Sequence, residues 1–287
     1  MSDHSFLSRI WQALKAALLS IFGLLSFGTS AAPARGLDEM ALQGREFLLY
    51  RAESVQGQAA PLVMVLHAGF QSGEKMYETL PLAEAAERVG FNLVYPTGTA
   101  LKLNRSGPMM EARGGMNAWN AGMEGRGAID TTVQDVAYLE NIILALVEQG
   151  LADPDRITVV GHSNGAMMAY RLVCERPGLV QTVIAISGTP AIDRCMGPLR
   201  GLRILHIHGT EDENQPAQGG VGPKGVSGHN ARSVADTVEM MQRAGAEIQV
   251  RLVEGGGHRI DTLDGLLRDQ YGADILTTVA EVVAATR

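Results

Sequence analysis

The chain has 287 residues, of which 46% are hydrophobic, 19% are charged and 5% are aromatic, and its formal net charge is −7. This composition excludes a disordered or fibrous protein, and the even mixing of acidic and basic residues leaves no basic stripe that would bind nucleic acid. The two cysteines, Cys174 and Cys195, are too few for a scaffold built on disulfides and lack the clustered spacing of a structural zinc site.

Residues 1–34 have the layout of an export signal. Arg9 and Lys15 precede an apolar run over 16–27, and a stretch of small residues follows. The run is shorter than the roughly 20 residues that a membrane-spanning helix needs, so no span is expected in the mature chain. The alternative is a retained N-terminal anchoring helix, since apolar residues also recur there at helical spacing. We therefore expect residues 35–287 to form a single secreted or periplasmic domain.

From residue 45 onward, β-type apolar runs alternate with segments of helical periodicity. In chain order the predicted elements are strands 45–52 and 61–67, helix 76–89, strand 91–95, helix 131–149, strand 156–160, helix 165–175, strands 180–186 and 203–207, helix 233–244, strand 248–253 and helix 263–285. This order predicts an α/β fold with a mainly parallel central sheet and helices on both faces. Residues 97–127 show no clear period, and a connection of that length is expected to contribute to a site.

A Gly-x-Ser-x-Gly sequence lies between a predicted strand and a predicted helix. It reads Gly161-His162-Ser163-Asn164-Gly165. At a sharp strand-to-helix turn the serine hydroxyl stands clear of the sheet, and small residues are needed two positions before and after it. The pattern predicts Ser163 as a nucleophile and the Asn164 amide, at the helix start, as an oxyanion donor. The alternative is a glycine-rich turn that happens to contain serine.

A serine nucleophile requires a histidine base and an acid, which in this type of fold follow in the order Ser, Asp, His. Asp212 and His258 each come after a predicted strand, so both are expected at the edge of the sheet where Ser163 lies. Asp212 would orient the imidazole of His258, which would take and return the proton of Ser163. Glu211 and Asp193 are less well placed alternatives for the acid.

The second oxyanion donor is expected in the loop after the strand over 61–67. That loop reads His67-Ala68-Gly69-Phe70. Gly69 is the predicted donor and Ala68 is the alternative, because the backbone must approach the substrate oxygen closely. His67 is expected to be structural.

Six segments together resemble the polyhydroxybutyrate depolymerase-like esterases, a group that includes secreted feruloyl and acetylxylan esterases. They are Leu-His-Ala-Gly-Phe-Gln-Ser (66–72), Tyr-Pro-Thr-Gly (95–98), Trp-Asn-Ala-Gly (119–122), Asp-Val-Ala-Tyr (135–138), Gly-His-Ser-Asn-Gly-Ala-Met-Met (161–168) and His-Ile-His-Gly-Thr-Glu-Asp (206–212). The resemblance implies an α/β-hydrolase fold, hydrolysis of a small-molecule or polymeric ester without a cofactor, and a triad of Ser163, Asp212 and His258. It also implies a disulfide between Cys174 and Cys195.

The chain departs from the family pattern at positions that face the substrate. Ala68 stands where the family has glycine, Met123-Glu124-Gly125 where it has Cys-Cys-Gly, and Arg259-Ile260-Asp261 where it has Thr-Trp-Pro. Ester hydrolysis is therefore better supported than any particular ester. Trp119 and Phe70 are the predicted substrate-binding residues, and Trp119 with Met109, Met110 and Met116 is expected to form an acyl-binding or aryl-binding wall unless these are ordinary core contacts.

Other functional classes are less well supported. His206 and His208 alternate on a predicted strand, and we expect them to point to opposite faces, where they cannot share a metal ion. A binding module on a hydrolase scaffold would not need the complete triad. A lipase usually has a large apolar lid, whereas residues 97–127 are rich in glycine; a lipase or a serine peptidase is the remaining alternative within hydrolases.

Overall fold

The structure, a computed structural model, describes residues 26–27, 36–100, 116–123, 132–225 and 228–286. Its strands are β1 Ser26–Phe27, β2 Leu37–Leu42, β3 Arg45–Tyr50, β4 Ala60–Leu66, β5 Asn92–Pro96, β6 Thr99–Ala100, β7 Asn117–Ala118, β8 Ala152–His162, β9 Thr182–Ile186, β10 Arg203–Gly209 and β11 Glu247–Val253. Its α-helices are α1 Gly73–Thr79, α2 Ala83–Val89, α3 Asp135–Glu148, α4 Asn164–Glu175, α5 Val234–Arg243, α6 Ile260–Tyr271 and α7 Ile275–Ala284.

Nine of these strands form one sheet in the order β1-β2-β3-β5-β4-β8-β9-β10-β11. The pairs β1–β2, β2–β3 and β3–β5 are antiparallel, and every pair from β5 to β11 is parallel. The mainly parallel sheet confirms the predicted fold class. Strands β6 and β7 form a separate antiparallel pair.

Two cores cover the two faces of the sheet, as strand β4 shows. Leu62, Met64 and Leu66 pack in a core shared with α3, α4 and α5, whereas Val63 and Val65 pack in a core shared with α1, α2, α6 and α7. Alternate residues of a strand point to opposite faces, so a strand buried on both sides is apolar throughout. This is the physical origin of the continuous Leu-Val-Met-Val-Leu run.

Two of the predicted helices are each split into two. Helix 76–89 is interrupted at Leu80-Pro81-Leu82, because proline disfavours the helical conformation of the residue before it, and Leu80 has φ −131°. Helix 263–285 is interrupted at Gly272, which has φ 81°, and α7 restarts where the Asp274 side chain accepts a hydrogen bond from the Thr277 amide at 2.8 Å. In both places local backbone chemistry outweighs the hydrophobic period.

Strand β2 is a feature that no sequence pattern predicted. It pairs with β3 through the two-residue turn Gln43-Gly44, in which both residues have positive φ, 55° and 75°. Such a turn matches the twist of an antiparallel hairpin. The hairpin extends the parallel sheet beyond β5 by antiparallel strands.

Several predictions fall wholly or partly outside the described residues. Only residues 26–27 of the predicted export signal are described, so the signal and the boundary at residue 35 stay predictions. Of the connection over 97–127, residues 97–100 and 116–123 are described, whereas Met109 and Met110 are not. Among the helices in the described ranges, none is both long and apolar enough to cross a membrane.

Four loops that carry the predicted site residues follow parallel strands at one edge of the sheet. His67 comes directly after β4 and Ser163 directly after β8, while Asp212 and His258 lie in the loops after β10 and β11. Because parallel strands all end at the same edge, residues far apart in the chain meet there.

Candidate active site

Ser163 occupies a strained turn between β8 and α4. Its backbone has φ 54° and ψ −118°, a conformation that non-glycine residues rarely adopt. The Ser163 amide donates a hydrogen bond to the Ile186 carbonyl at 2.8 Å, and the Ser163 carbonyl accepts one from the Met167 amide at 3.0 Å. The neighbouring strand and the first turn of α4 therefore hold the turn that presents the hydroxyl.

Glycines around Ser163 allow three backbone segments to approach closely. A Cβ at Gly161 would lie 2.4 Å from the Gly165 carbonyl oxygen, one at Gly165 would lie 2.3 Å from the Leu66 carbonyl oxygen, and one at Gly188 would lie 2.4 Å from the Ser163 carbonyl oxygen. These distances are far below van der Waals contact with rigid backbone. The spacing requirement inferred from the Gly-x-Ser-x-Gly sequence has this steric cause.

Replacing Gly165 by alanine is expected to lower both stability and ester hydrolysis. The new methyl group would overlap the backbone at the end of β4, so α4 and the loop after β4 must separate. Such overpacking costs about 1–3 kcal/mol of unfolding free energy, and a displacement of about 1 Å at the site costs on the order of 100-fold in rate. Thermal unfolding and kcat measure the two effects.

Gly265→Ala is the matched control for this substitution. Gly265 lies inside α6, and a Cβ there would meet nothing within 4 Å. Alanine at that position is expected to stabilise the protein by about 0.5–1 kcal/mol. A Gly165→Ala protein that matched wild type in melting temperature and kcat would contradict the steric account.

The structure brings Ser163, His258 and Asp212 into one hydrogen-bonded series. Ser163 Oγ lies 2.9 Å from His258 Nε2, and His258 Nδ1 lies 2.8 Å from Asp212 Oδ2. The two alternative acids are elsewhere: the side chains of Glu211 and Asp193 are exposed, and Asp193 pairs with Arg232 at 3.6 Å. The geometry therefore supports Asp212 as the acid.

Asp212 is held as a buried carboxylate in a fixed orientation. Its Oδ1 accepts hydrogen bonds from the Asn214 and Gln215 amides, both at 2.8 Å, which leaves Oδ2 directed at His258. Burial acts to raise the pKa of Asp212, but the hydrogen bond from His258 and the Gln215 amide outweigh it, so the pKa lies below its ordinary value. An ionised Asp212 accepts a hydrogen bond from the His258 Nδ1–H, which leaves Nε2 unprotonated and able to accept a hydrogen bond from the Ser163 hydroxyl.

His162, the variable residue before Ser163, contacts the loop that carries His258. Its Nε2 donates a hydrogen bond to the His258 carbonyl at 2.9 Å. Burial and the nearby His258 lower the pKa of His162 to about 4, so the ring is neutral near pH 7. No role for His162 was predicted from the sequence, in which its position inside the Gly-x-Ser-x-Gly segment is the one signal.

His67 organises the loop after β4. The Gly98 amide donates to His67 Nε2 at 2.8 Å, so the ring proton is on Nδ1, which donates to the Ala68 carbonyl at 2.7 Å. Burial lowers the pKa of His67 to about 4, which keeps this neutral form. These contacts agree with the structural role predicted for His67.

The same contacts set the direction of the Gly69 amide. The Ala68 carbonyl and the Gly69 N–H belong to one trans peptide and point in opposite directions. Because the Ala68 carbonyl accepts from His67, the Gly69 N–H points away from His67. A Cβ built on Gly69 would lie 3.7 Å from the Asn164 Cβ, so Gly69 is next to Asn164. Ala68 N–H donates to Gln71 Oε1 at 3.3 Å and Phe70 N–H donates to the Asn117 carbonyl at 2.7 Å. Within the described part of the chain, the Gly69 N–H has no acceptor, which favours Gly69 over Ala68 as the donor.

Trp119 lies beneath the site and does not form a wall of it. Its side chain is fully buried, and its Nε1 donates to the His67 carbonyl at 3.0 Å. The Trp119 backbone makes two hydrogen bonds with the Asn164 side chain, at 2.7 and 3.1 Å. The prediction that Trp119 binds substrate is therefore wrong for this structure; the residue connects the loop after β4 to the serine turn.

The side chains of Phe70 and Met116 are accessible enough to contact a substrate. Both are partly exposed, and Phe70 has a positive φ of 65°. A positive φ in a bulky residue indicates a conformation imposed by its surroundings. The substrate-binding role of Phe70 stays a prediction.

His206 and His208 lie on the same face of β10, so the expectation of opposite faces was wrong. Residues two apart on a strand point to the same side of a sheet, and His206 Nε2 lies 3.1 Å from His208 Nδ1. Within the described ranges, no three His, Cys, Asp or Glu side chains come together in a group that would hold a metal ion.

A disulfide joins Cys174, near the end of α4, to Cys195 in the loop after β9. The bridge is the one implied by the family resemblance. It closes a loop with a sequence separation of 21 residues, and cross-links of that size stabilise folded domains by about 3 kcal/mol. The bridge thus anchors the helix that begins at the serine turn.

Comparison with known proteins places this site in context. The sequence model of the phospholipase/carboxylesterase family matches residues 51–261. The putative esterase NocK from Nocardia uniformis subsp. tsuyamanensis is 28% identical over 232 residues, covering 75% of this chain and 62% of NocK. Acetylxylan esterase A from Emericella nidulans is 26% identical over 149 residues, covering 50% of this chain and 42% of that esterase. The chain thus spans less than two thirds of these relatives.

A solved structure shares the fold. The Bacillus cereus carboxylesterase superposes with a TM-score of 0.57 at 17% identity, covering 85% of this chain and 96% of that enzyme. At that identity the likeness concerns the arrangement of the sheet and helices.

Proposed function

The chain belongs to the phospholipase/carboxylesterase family of α/β-hydrolases, and on that premise we propose that it is a serine esterase that hydrolyses carboxylic esters through an acyl-enzyme intermediate. The observation that carries the proposal is the series of hydrogen bonds from Ser163 Oγ through His258 to Asp212, with both distances under 3 Å. The three residues come from three separate loops, and their meeting in the order Ser, His, Asp at hydrogen-bonding distance is the arrangement that a catalytic triad requires.

In the first half of the reaction, Ser163 attacks the ester. As its Oγ bonds to the carbonyl carbon, its proton passes to His258 Nε2, and Asp212 stabilises the resulting imidazolium through Nδ1. The negative charge on the carbonyl oxygen is bound by the amides of Asn164 and Gly69. When the bond to the alcohol breaks, His258 returns the proton to the leaving oxygen.

In the second half, water repeats the sequence of steps on the acyl-enzyme. His258 takes a proton from the water as its oxygen bonds to the acyl carbon, and Ser163 leaves with that proton when the tetrahedral intermediate collapses. The Asn164 amide is available as an oxyanion donor because the first amides of a helix have no partner within the helix. The products are a carboxylic acid and an alcohol.

For the natural substrate we propose an ester of a polyhydroxybutyrate type, with a feruloyl or acetylxylan ester as the alternative. The sequence resemblance supports the first; similarity to an acetylxylan esterase supports the second. Location outside the cytoplasm is part of the proposal, and the disulfide supports it.

The test of ester hydrolysis uses p-nitrophenyl acetate and butyrate beside p-nitroacetanilide. Cleavage of both esters, with little or no cleavage of the anilide, is expected for an esterase; preference for the anilide would favour a peptidase, and no cleavage of any would favour a non-catalytic protein. Hydroxybutyrate oligomers, methyl ferulate and acetylated xylan, compared by kcat/KM, then choose among the substrate classes.

A further inference from the structure

Three buried side chains on α4 and β10 form a continuous chain of hydrogen bonds next to the proposed triad. Tyr170 Oη lies 2.9 Å from His206 Nδ1, His206 Nε2 lies 3.1 Å from His208 Nδ1, and His208 Nε2 lies 2.7 Å from the Gln215 carbonyl oxygen. All three side chains are buried. Within the described residues none of them forms a hydrogen bond with Ser163 or His258, and the reaction as proposed above does not use them.

The direction of every hydrogen bond in this chain follows from its last member. A carbonyl oxygen only accepts, so His208 Nε2 carries a proton and donates to Gln215. Burial lowers the pKa of both histidines, which are therefore neutral. A neutral His208 must then accept at Nδ1 from His206 Nε2, and His206 must accept at Nδ1 from the Tyr170 hydroxyl. Each ring nitrogen in the chain is therefore either a donor or an acceptor, and its role is fixed.

Gln215, at the end of the chain, connects the Asp212 loop to the rest of the site. Its amide donates to Asp212 Oδ1 at 2.8 Å. Its side chain accepts from the Thr189 amide at 3.4 Å and lies 3.3 Å from Met167 Sδ on α4. His208 Nε2 also lies 3.4 Å from Asp212 Oδ2, so the N–H that donates to Gln215 is close to the carboxylate. The contacts of His208 thus reach Asp212 both through Gln215 and directly.

We propose that His208, oriented by His206 and Tyr170, is a positioning residue that holds the Asp212–Gln215 turn and so keeps the Asp212 carboxylate aimed at His258. The proposal rests on the serine esterase function proposed above. It predicts that loss of the His208 Nε2–H lowers kcat, because Asp212 turns away from His258. KM is expected to change little, because the His208 side chain is fully buried and is not available to substrate.

The variants His208→Gln, His208→Asn and His208→Leu test the role of each ring nitrogen. A glutamine amide reaches the position of Nε2 and can donate to Gln215, whereas an asparagine amide reaches only the position of Nδ1. With p-nitrophenyl acetate, His208→Leu and His208→Asn are expected to lose about 10-fold to 100-fold in kcat, and His208→Gln to recover most of that loss. Equal kcat in the Gln and Asn variants, or a larger loss for Gln, would overturn the proposal, and this comparison remains available if the leucine variant does not fold.

A double-mutant cycle with Asp212→Asn separates positioning from general destabilisation. If His208 acts through Asp212, His208→Asn is expected to lower kcat in the wild-type background and to have little further effect once Asp212 is replaced. Losses that multiply in the double variant would overturn the proposal. The proposed function fails separately: Ser163→Ala with full activity would refute the nucleophile, and Asp212→Asn with full activity would refute the acid, whatever the His208 variants do.

Discussion

Ser163→Ala is expected to reduce hydrolysis of p-nitrophenyl acetate by about 10⁶-fold in kcat while leaving the fold intact. In the proposed reaction the serine hydroxyl bonds to the ester carbon, and His258 Nε2 lies 2.9 Å from Ser163 Oγ, where it can take the proton. Removing the nucleophile of a triad leaves only the catalysis due to binding and the oxyanion donors. Steady-state kinetics and circular dichroism check the two parts of the expectation.

Ser187→Ala is a matched control for the nucleophile. Ser187 follows the adjacent strand β9, has a similar backbone φ of 52°, and its buried hydroxyl has no hydrogen-bond partner among the described residues. Its replacement is expected to leave kcat within about 3-fold of wild type, as for a change that removes no transition-state interaction. A diethyl phosphoryl ester inhibitor should label wild type on Ser163 and fail to label Ser163→Ala. Activity retained by the unlabelled variant would refute the assignment.

Asp212→Asn is expected to lower kcat by about 10⁴-fold near pH 7. The two amide donors of Asn214 and Gln215 require an oxygen at the Oδ1 position, so the new amide NH₂ group must face His258. His258 Nδ1 would then accept a hydrogen bond, which places the ring proton on Nε2. A ring protonated at Nε2 cannot accept the proton of Ser163, and the general base is lost.

The pH dependence of folding provides an independent check on Asp212. Because its pKa is below the ordinary value in the folded protein, ionised Asp212 stabilises the fold above the unfolded pKa of about 3.9, and that contribution is lost as pH falls through the folded pKa. Wild type should therefore lose stability relative to Asp212→Asn in acid.

Glu211→Gln, at the adjacent exposed carboxylate, is the control for the kinetic effect of Asp212→Asn and should match wild type in kcat. Full activity in Asp212→Asn would contradict the triad.

Much of the site was predictable because its chemistry depends on short segments. The serine turn needs Gly161 and Gly165 at fixed spacing, and a steric rule of that kind can be recognised in five residues. The order of Ser163, Asp212 and His258, each after an apolar strand, was enough to expect them at one edge of a parallel sheet.

One error came from contacts that no single segment contains, and the other from the period of a single strand. Trp119 was predicted to bind substrate because it is a large aromatic residue in a long connection. The structure instead buries its side chain under the loop after β4, where the residue links His67 to Asn164. His206 and His208 share a face because side chains two apart on a strand point to the same side, so the prediction of opposite faces was wrong. Their hydrogen bonds to each other and to Gln215 depend on how β10 packs against α4, which no periodicity reveals.

The sequence by itself determined the class of fold, the serine turn and the order of the proposed catalytic residues, because these depend on strand and helix periodicity and on the space around glycine. Only the tertiary structure decided which acid faces His258, which amide of the loop after β4 is free and which direction the buried histidines donate. Those properties depend on distances of about 3 Å between residues tens of positions apart, and such distances are set by the packing of the whole sheet and its helices.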